Sequence, residues 1–158
     1  MILLIGLPPP ARTRYSSIMT DTISKERRSW NMSRIRSKDT APEIAVRSML
    51  HRAGYRFRLH VKDLPGKPDI VLPKYKTVIF VHGCFWHRHK GCKYATTPST
   101  HKKYWLKKFD RNTANDKKHQ RELKMLGWKV VTIWVCQLRF PGATFRRIRN
   151  FLDQQTRS

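Results

Sequence analysis

A chain of 158 residues with 39% hydrophobic side chains is long enough for one compact domain with a core, and too apolar for a disordered tail. Its 34 Lys and Arg against 10 Asp and Glu give a formal charge of +24, which no neutral ligand explains and which points to a polyanion: nucleic acid or an anionic membrane. No apolar stretch reaches the length of a membrane span, and 3 cysteines are too few for a disulfide framework, so a reducing cytoplasm with metal ligation fits better.

The first residues, Met1 to Leu7, are apolar but short, lack a basic start and run into Pro8-Pro9-Pro10, unlike a signal peptide. Met19 opens a polar, charged segment and reads as the true start, so residues 1–18 are expected to be a disordered extension. Residues 19–39 are basic, with Trp30, Met32 and Ile35 set among the charges. They suit a DNA-contacting arm; a frayed amphipathic helix packing Trp30 and Ile35 on the body is the rival reading. Residues 40–158 are expected to form a single domain.

Thr40-Ala-Pro-Glu43 matches a capping box, and Val46, Met49, Leu50 and Ala53 recur at helical spacing before Gly54 stops the helix. Tyr55, Phe57 and Leu59 alternate with Arg56 and Arg58, which predicts a half-buried strand. A Pro-Gly turn leads to a short strand over Asp69–Leu72, and a second turn leads to the apolar run Thr77–Val81, read as the central strand. Two neighbouring strands thereby bring Asp69 to the residues around Val81. A helical region begins at Tyr104 and continues from Asp110 to Leu126, with Leu123 and Leu126 on its core face and Gly127 as the stop. Trp128–Cys136 reads as a buried strand, and a last helix around Phe145–Gln154 presents Ile148, Phe151 and Leu152. This order predicts an α/β fold with a central mixed sheet flanked by helices.

The stretch following the central strand, His82-Gly-Cys-Phe-Trp-His-Arg-His-Lys-Gly-Cys92, concentrates the chemistry. Cys84, His89 and Cys92 lie within nine residues, and Cys136 is the remaining thiol. A Cys₃His set would make a closed, structural zinc site; three unrelated buried thiols are the rival reading. His87 is the rival fourth ligand, and the compact spacing favours His89. Asp69, His82 and His87 form a second group. One carboxylate with backbone carbonyls and phosphates suits Mg²⁺, and a histidine, oriented by a carboxylate such as Asp116, suits a general base. Phe85 and Trp86 between them read either as core or as a wedge between base pairs.

His82-Gly-Cys-Phe-Trp-His87, preceded by Pro65-Gly-Lys-Pro-Asp69 and followed by Cys136 after Val130–Val135, resembles the very short patch repair (Vsr) DNA mismatch endonucleases over roughly Ser24–Arg139. The resemblance implies a restriction-endonuclease-like fold and a Mg²⁺-dependent nick on the 5′ side of the thymine in a T:G mismatch, the product of 5-methylcytosine deamination. It implies that Asp69 and the Val81 carbonyl hold Mg²⁺, that His87 is the base oriented by Asp116, that His82 assists at the phosphate, and that Glu43 supports the site. It assigns Cys84, His89, Cys92 and Cys136 to structural zinc, and Phe85, Trp86 and Met32 to the wedge. It further implies a bacterial-type cytoplasmic enzyme at the nucleoid, acting on double-stranded DNA beside mismatch-repair proteins; one wedge and one site fit a monomer acting on one strand. Val81 stands where the family commonly has threonine; a carbonyl ligand is indifferent to that change. The loop from His87 to Cys92 carries one residue more than the shortest family version. The competing readings are a zinc-stabilised DNA-binding module without catalysis and a restriction-like nuclease with another target.

Overall fold

The computed structural model describes Ser24, Arg27, Trp30 and residues 38–154. Residues 1–18, Met32 and Ile35 lie outside the described residues. Trp30 is exposed, with the Arg27 guanidinium 4.7 Å from its ring centre.

Helix α1 spans Ala41–Arg52. Thr40 caps it with extended backbone, its hydroxyl accepting from the Glu43 N–H and donating to a Glu43 carboxylate oxygen at 2.7 Å. Gly54, at φ +80°, ends it, and Val46 and Leu50 are buried beneath it. The strand expected over residues 55–59 does not form. One antiparallel bridge, Arg58 to Val71, carries two hydrogen bonds of 2.8 and 2.9 Å, and His60 then enters the left-handed region at φ +54° and turns the chain away. Tyr55 and Phe57 still pack on the core, so the alternation was a packing signal without a ladder.

Strand β1, Ile70–Leu72, pairs antiparallel with β2, Thr77–His82, and β2 pairs parallel with β3, Lys129–Trp134. β2 is central and covered on both faces, which is why its sequence runs apolar without alternation. One face, through Ile70, Leu72, Ile79 and Ile133, meets α1 and the last helix α3, Pro141–Asp153. The other face, through Val71, Val78 and Phe80, meets Leu123 of helix α2, Lys102–Met125. The mixed sheet between helices agrees with the expectation. Two details differ. Leu126 is exposed, because it is the C-cap of α2 and Leu123 takes the core position. Cys136 leaves the strand and sits in a 3₁₀ turn over Val135–Arg139.

Candidate active site

The antiparallel register pairs Ile70 with Ile79, so Asp69, just before β1, lies beside the end of β2. Its Oδ2 accepts from the Val81 N–H at 2.7 Å. Burial pushes the Asp69 carboxyl up to about 6; the Val81 N–H opposes that, and the nearby Glu43 charge adds to it. A carboxylate held out of water beside a second carboxylate is a place where a cation relieves both.

Glu43 is 6% exposed, and α1 points it into the same cleft. Its Oε2 accepts from the Asp39 N–H at 3.0 Å and from the Arg47 guanidinium at 2.9 Å. Arg47 also reaches Asp39, which itself lies 3.4 Å from His60. Sequence reading missed Arg47, although its spacing of four residues from Glu43 on one helix was a usable signal.

His82 ends β2 and is buried; burial, then the neighbouring His87, lowers its pKa to about 4, leaving the ring neutral. His87 follows in the loop. Its Nδ1 is 2.6 Å from Asp116 Oδ2, and its ring stacks on His82 at 3.8 Å between centres. His82 Nδ1 is 4.0 Å from the same carboxylate oxygen. With Nδ1–H donating to Asp116, the Nε2 lone pair of His87 is the one free to accept a proton. Glu43, Asp69, Val81, His82, His87 and Asp116 all line one cleft of about 420 Å³. The first five come from the β-strands, their flanking residues and α1, whereas Asp116 comes from the middle of α2. Also lining the cleft, and missed in the sequence, are Lys62, Lys67 and His119. His119 stands three residues past Asp116, a spacing that puts both on one face of α2.

Beyond His82 the loop winds through short turns, His87 N–H to Gly83 O, His89 N–H to Cys84 O and Cys92 N–H to His89 O, each 3.1 Å. These turns bring together Cys84, His89, Cys92 and Cys136, whose ligand atoms lie within 4.8 Å of one another. His89 Nδ1 is 3.8 Å from the Cys84 sulfur and 3.3 Å from the Cys136 sulfur, and its ring stacks on Trp134. Burial pushes the Cys84 thiol up to about 12, a cost that a bound cation removes. Three thiols and one imidazole in this arrangement suit a tetrahedral ion. His87, the rival ligand, is turned to Asp116 instead.

Phe85 and Trp86 are half-buried, between the core and wedge readings. Phe85 packs edge-on against Trp105 and Phe109 of α2, and Trp86 meets Trp105 with Lys108 over its ring. Asn112 donates to the Trp86 carbonyl at 3.0 Å. Met32, the third residue of the expected wedge, lies outside the described residues.

Residues 20–93 match the family described as DNA mismatch endonuclease Vsr. The chain is 52% identical over 135 residues to the type II nicking enzyme V.XorIIP of Xanthomonas oryzae pv. oryzae, covering 85% of this chain and 98% of that one. It is 45% identical over 136 residues to the type II nicking enzyme V.NmeAIP of Neisseria meningitidis serogroup A, covering 86% and 96%. It is 42% identical over 121 residues to the DNA mismatch endonuclease Vsr of Escherichia coli, covering 77% of each chain. The small α/β fold, with its three-strand mixed sheet, fits a Vsr-type nuclease. The chain belongs to the Vsr family of DNA mismatch endonucleases. No helix among the described residues is long and apolar enough to cross a membrane.

Proposed function

We propose that this protein is a DNA endonuclease that nicks the strand on the 5′ side of the thymine in a T:G mismatch, by Mg²⁺-dependent hydrolysis, in very short patch repair. The observation that carries the reading is the His87–Asp116 pair at 2.6 Å, in one cleft with Asp69. A non-catalytic binding module has no use for a carboxylate-oriented imidazole beside a half-buried acid.

Asp69 and the Val81 carbonyl would hold Mg²⁺, with Glu43 in support. Bound there, the ion would polarise the scissile phosphate and stabilise the charge developing on it. His87 Nε2 takes the proton from the attacking water, Asp116 steadies the imidazolium so formed, and neutral His82 donates a hydrogen bond toward the phosphate. Cys84, His89, Cys92 and Cys136 would hold a structural zinc ion, since four protein ligands leave no open position. Phe85 and Trp86, standing on Trp105 and Phe109, have the firm base that a wedge into the duplex requires, and Met32 would join them from the arm. The protein would act as a monomer in a bacterial cytoplasm, alongside mismatch-repair proteins.

The test is nicking of end-labelled duplexes in Mg²⁺ with T:G, C:G or another mismatch at one position. A single cut 5′ to the mismatched thymine is expected, abolished by Asp69→Ala or His87→Ala with mismatch binding retained. Cutting of the C:G duplex at equal rate would replace the mismatch reading with that of a nuclease for an intact site. Tight mismatch binding with no cut in any metal would leave only the binding module.

A further inference from the structure

The hydrolytic reading leaves several cations of the cleft without a task. Lys38, Lys62 and Lys67 line it, and among the described residues none of them is in an ion pair. The acids beside them are already engaged: Glu43 by Arg47, Asp69 by Val81 and Asp116 by His87. An unpaired lysine next to satisfied carboxylates waits for an anion from outside.

Lys67 is the one whose position is built. Its N–H bonds to the Leu64 carbonyl at 3.1 Å, closing a turn with Pro65 and Gly66 at its centre. Gly66 has φ +73°, as the third position of such a turn requires. Lys67 itself is left-handed at φ +49°, an uncommon state for a long side chain, and Pro68 restricts the residue before it. The turn rests on the imidazole of His119: a Cβ added at Gly66 would stand 2.9 Å from His119 Cβ, Cγ and Nδ1. His119 is one helical turn beyond Asp116 and lines the same cleft, and its side chain makes no hydrogen bond among the described residues. A lysine on a fixed turn and an imidazole with no side-chain hydrogen bond therefore share one wall, next to the turn that delivers Asp69.

Resting on the DNA-cutting reading above, we propose that Lys67 and His119 form a phosphate site that takes the backbone phosphodiester next to the scissile one. They set the register of the cut strand against His87. Both are positioning residues: they grip the strand, and His87 acts on it.

The test measures binding of the full-length protein to fluorescein-labelled T:G and C:G duplexes across a KCl series, without added Mg²⁺. Lys67→Gln is expected to lower the slope of log affinity against log salt by about 1 and to weaken both duplexes by the same factor. His119→Ala is expected to weaken binding, and His119→Gln, which keeps an N–H donor, to recover most of it. Neutral methylphosphonates are then placed at one backbone position at a time. At the position held by this pair, wild type loses affinity and Lys67→Gln loses nothing further; elsewhere the two losses multiply. An unchanged salt slope, or losses that multiply at every position, would overturn the proposal. Lys67 is exposed, so its variant keeps the fold and decides the matter even if His119→Ala does not. Because the readout is backbone binding, a wild type indifferent to the mismatch would sink the T:G reading and leave this test intact.

Discussion

Asp116 decides which nitrogen of His87 is basic, and it does so across 29 residues of sequence through one contact. Asp116→Asn keeps the size of the side chain but removes the charge that stabilises the imidazolium. Single-turnover nicking is expected to fall roughly 10²- to 10⁴-fold, with duplex binding unchanged. Two titrating groups, half-buried Asp69 and buried His82, pull stability in opposite directions with pH. Asp69 has a folded value of about 6 against 3.8, so its contribution is present below pH 4 and is lost as pH rises through 6. His82 is lowered to about 4 from 6.5, so its contribution is present above pH 6.5 and is lost as pH falls toward 4. Without Mg²⁺ the two offset one another over that window. Asp69→Asn removes the first alone. The metal-free variant is expected to melt higher than wild type at pH 7 and to lose stability more steeply on acidification to pH 4. Only wild type is expected to gain Tm when Mg²⁺ is added at pH 7, since only its site needs a cation. Equal Mg²⁺ shifts in the two proteins would remove Asp69 from the metal site.

At the scale of elements, the cap of α1 serves the site as well as the helix. Thr40 Oγ1 bonds to Glu43 Oε1, so the hydroxyl that starts α1 also fixes the carboxylate facing the cleft. Thr40→Ala is expected to cost about 1 kcal/mol in urea unfolding and, separately, to raise the Mg²⁺ concentration needed for half-maximal nicking. A stability loss with an unchanged Mg²⁺ dependence would confine Thr40 to the cap. This helix start was legible because a capping box is a local signal, complete within four residues. The same holds for the apolar run of β2 and for the Asp69 turn. Residues 55–59 carried the right alternation and still made no strand, because a ladder needs a partner edge and His60 turns the chain after one bridge. Leu126 carried the right spacing and is exposed, since the helix ends beneath it. Asp116 is a candidate orienting carboxylate in the sequence, yet only the packing of α2 on the sheet puts it within reach of His87. Arg47 and His119 went unseen because their partners, Glu43 and the bare face of Gly66, are meaningful only once the cleft exists.

For the molecule as a whole, the cysteine–histidine cluster spans what the core does not. The loop after β2 has few apolar residues of its own, and Phe85 and Trp86 face α2. Cys136, from the turn after β3, meets this loop beside the sheet, its sulfur within 4.8 Å of the ligand atoms of Cys84, His89 and Cys92. His87 lies between Cys84 and His89, so the proposed base is flanked in sequence by two of the residues that would hold the ion. The rest of the fold has a core of its own over both faces of β2, so losing the ion should loosen the loop and leave the body folded. Wild type is expected to carry one equivalent of zinc by elemental analysis and Cys136→Ser much less. The variant is expected to lose a few kcal/mol, about 10 °C in Tm, while keeping its far-ultraviolet circular dichroism. Its nicking rate should fall further than its DNA affinity, because the proposed phosphate site of Lys67 and His119 sits on the body whereas His87 sits on the loop. A variant that lost affinity and rate in equal measure would show that the cluster holds up the DNA-binding surface itself, and the separation between a metal-hung base and a charged body would fail.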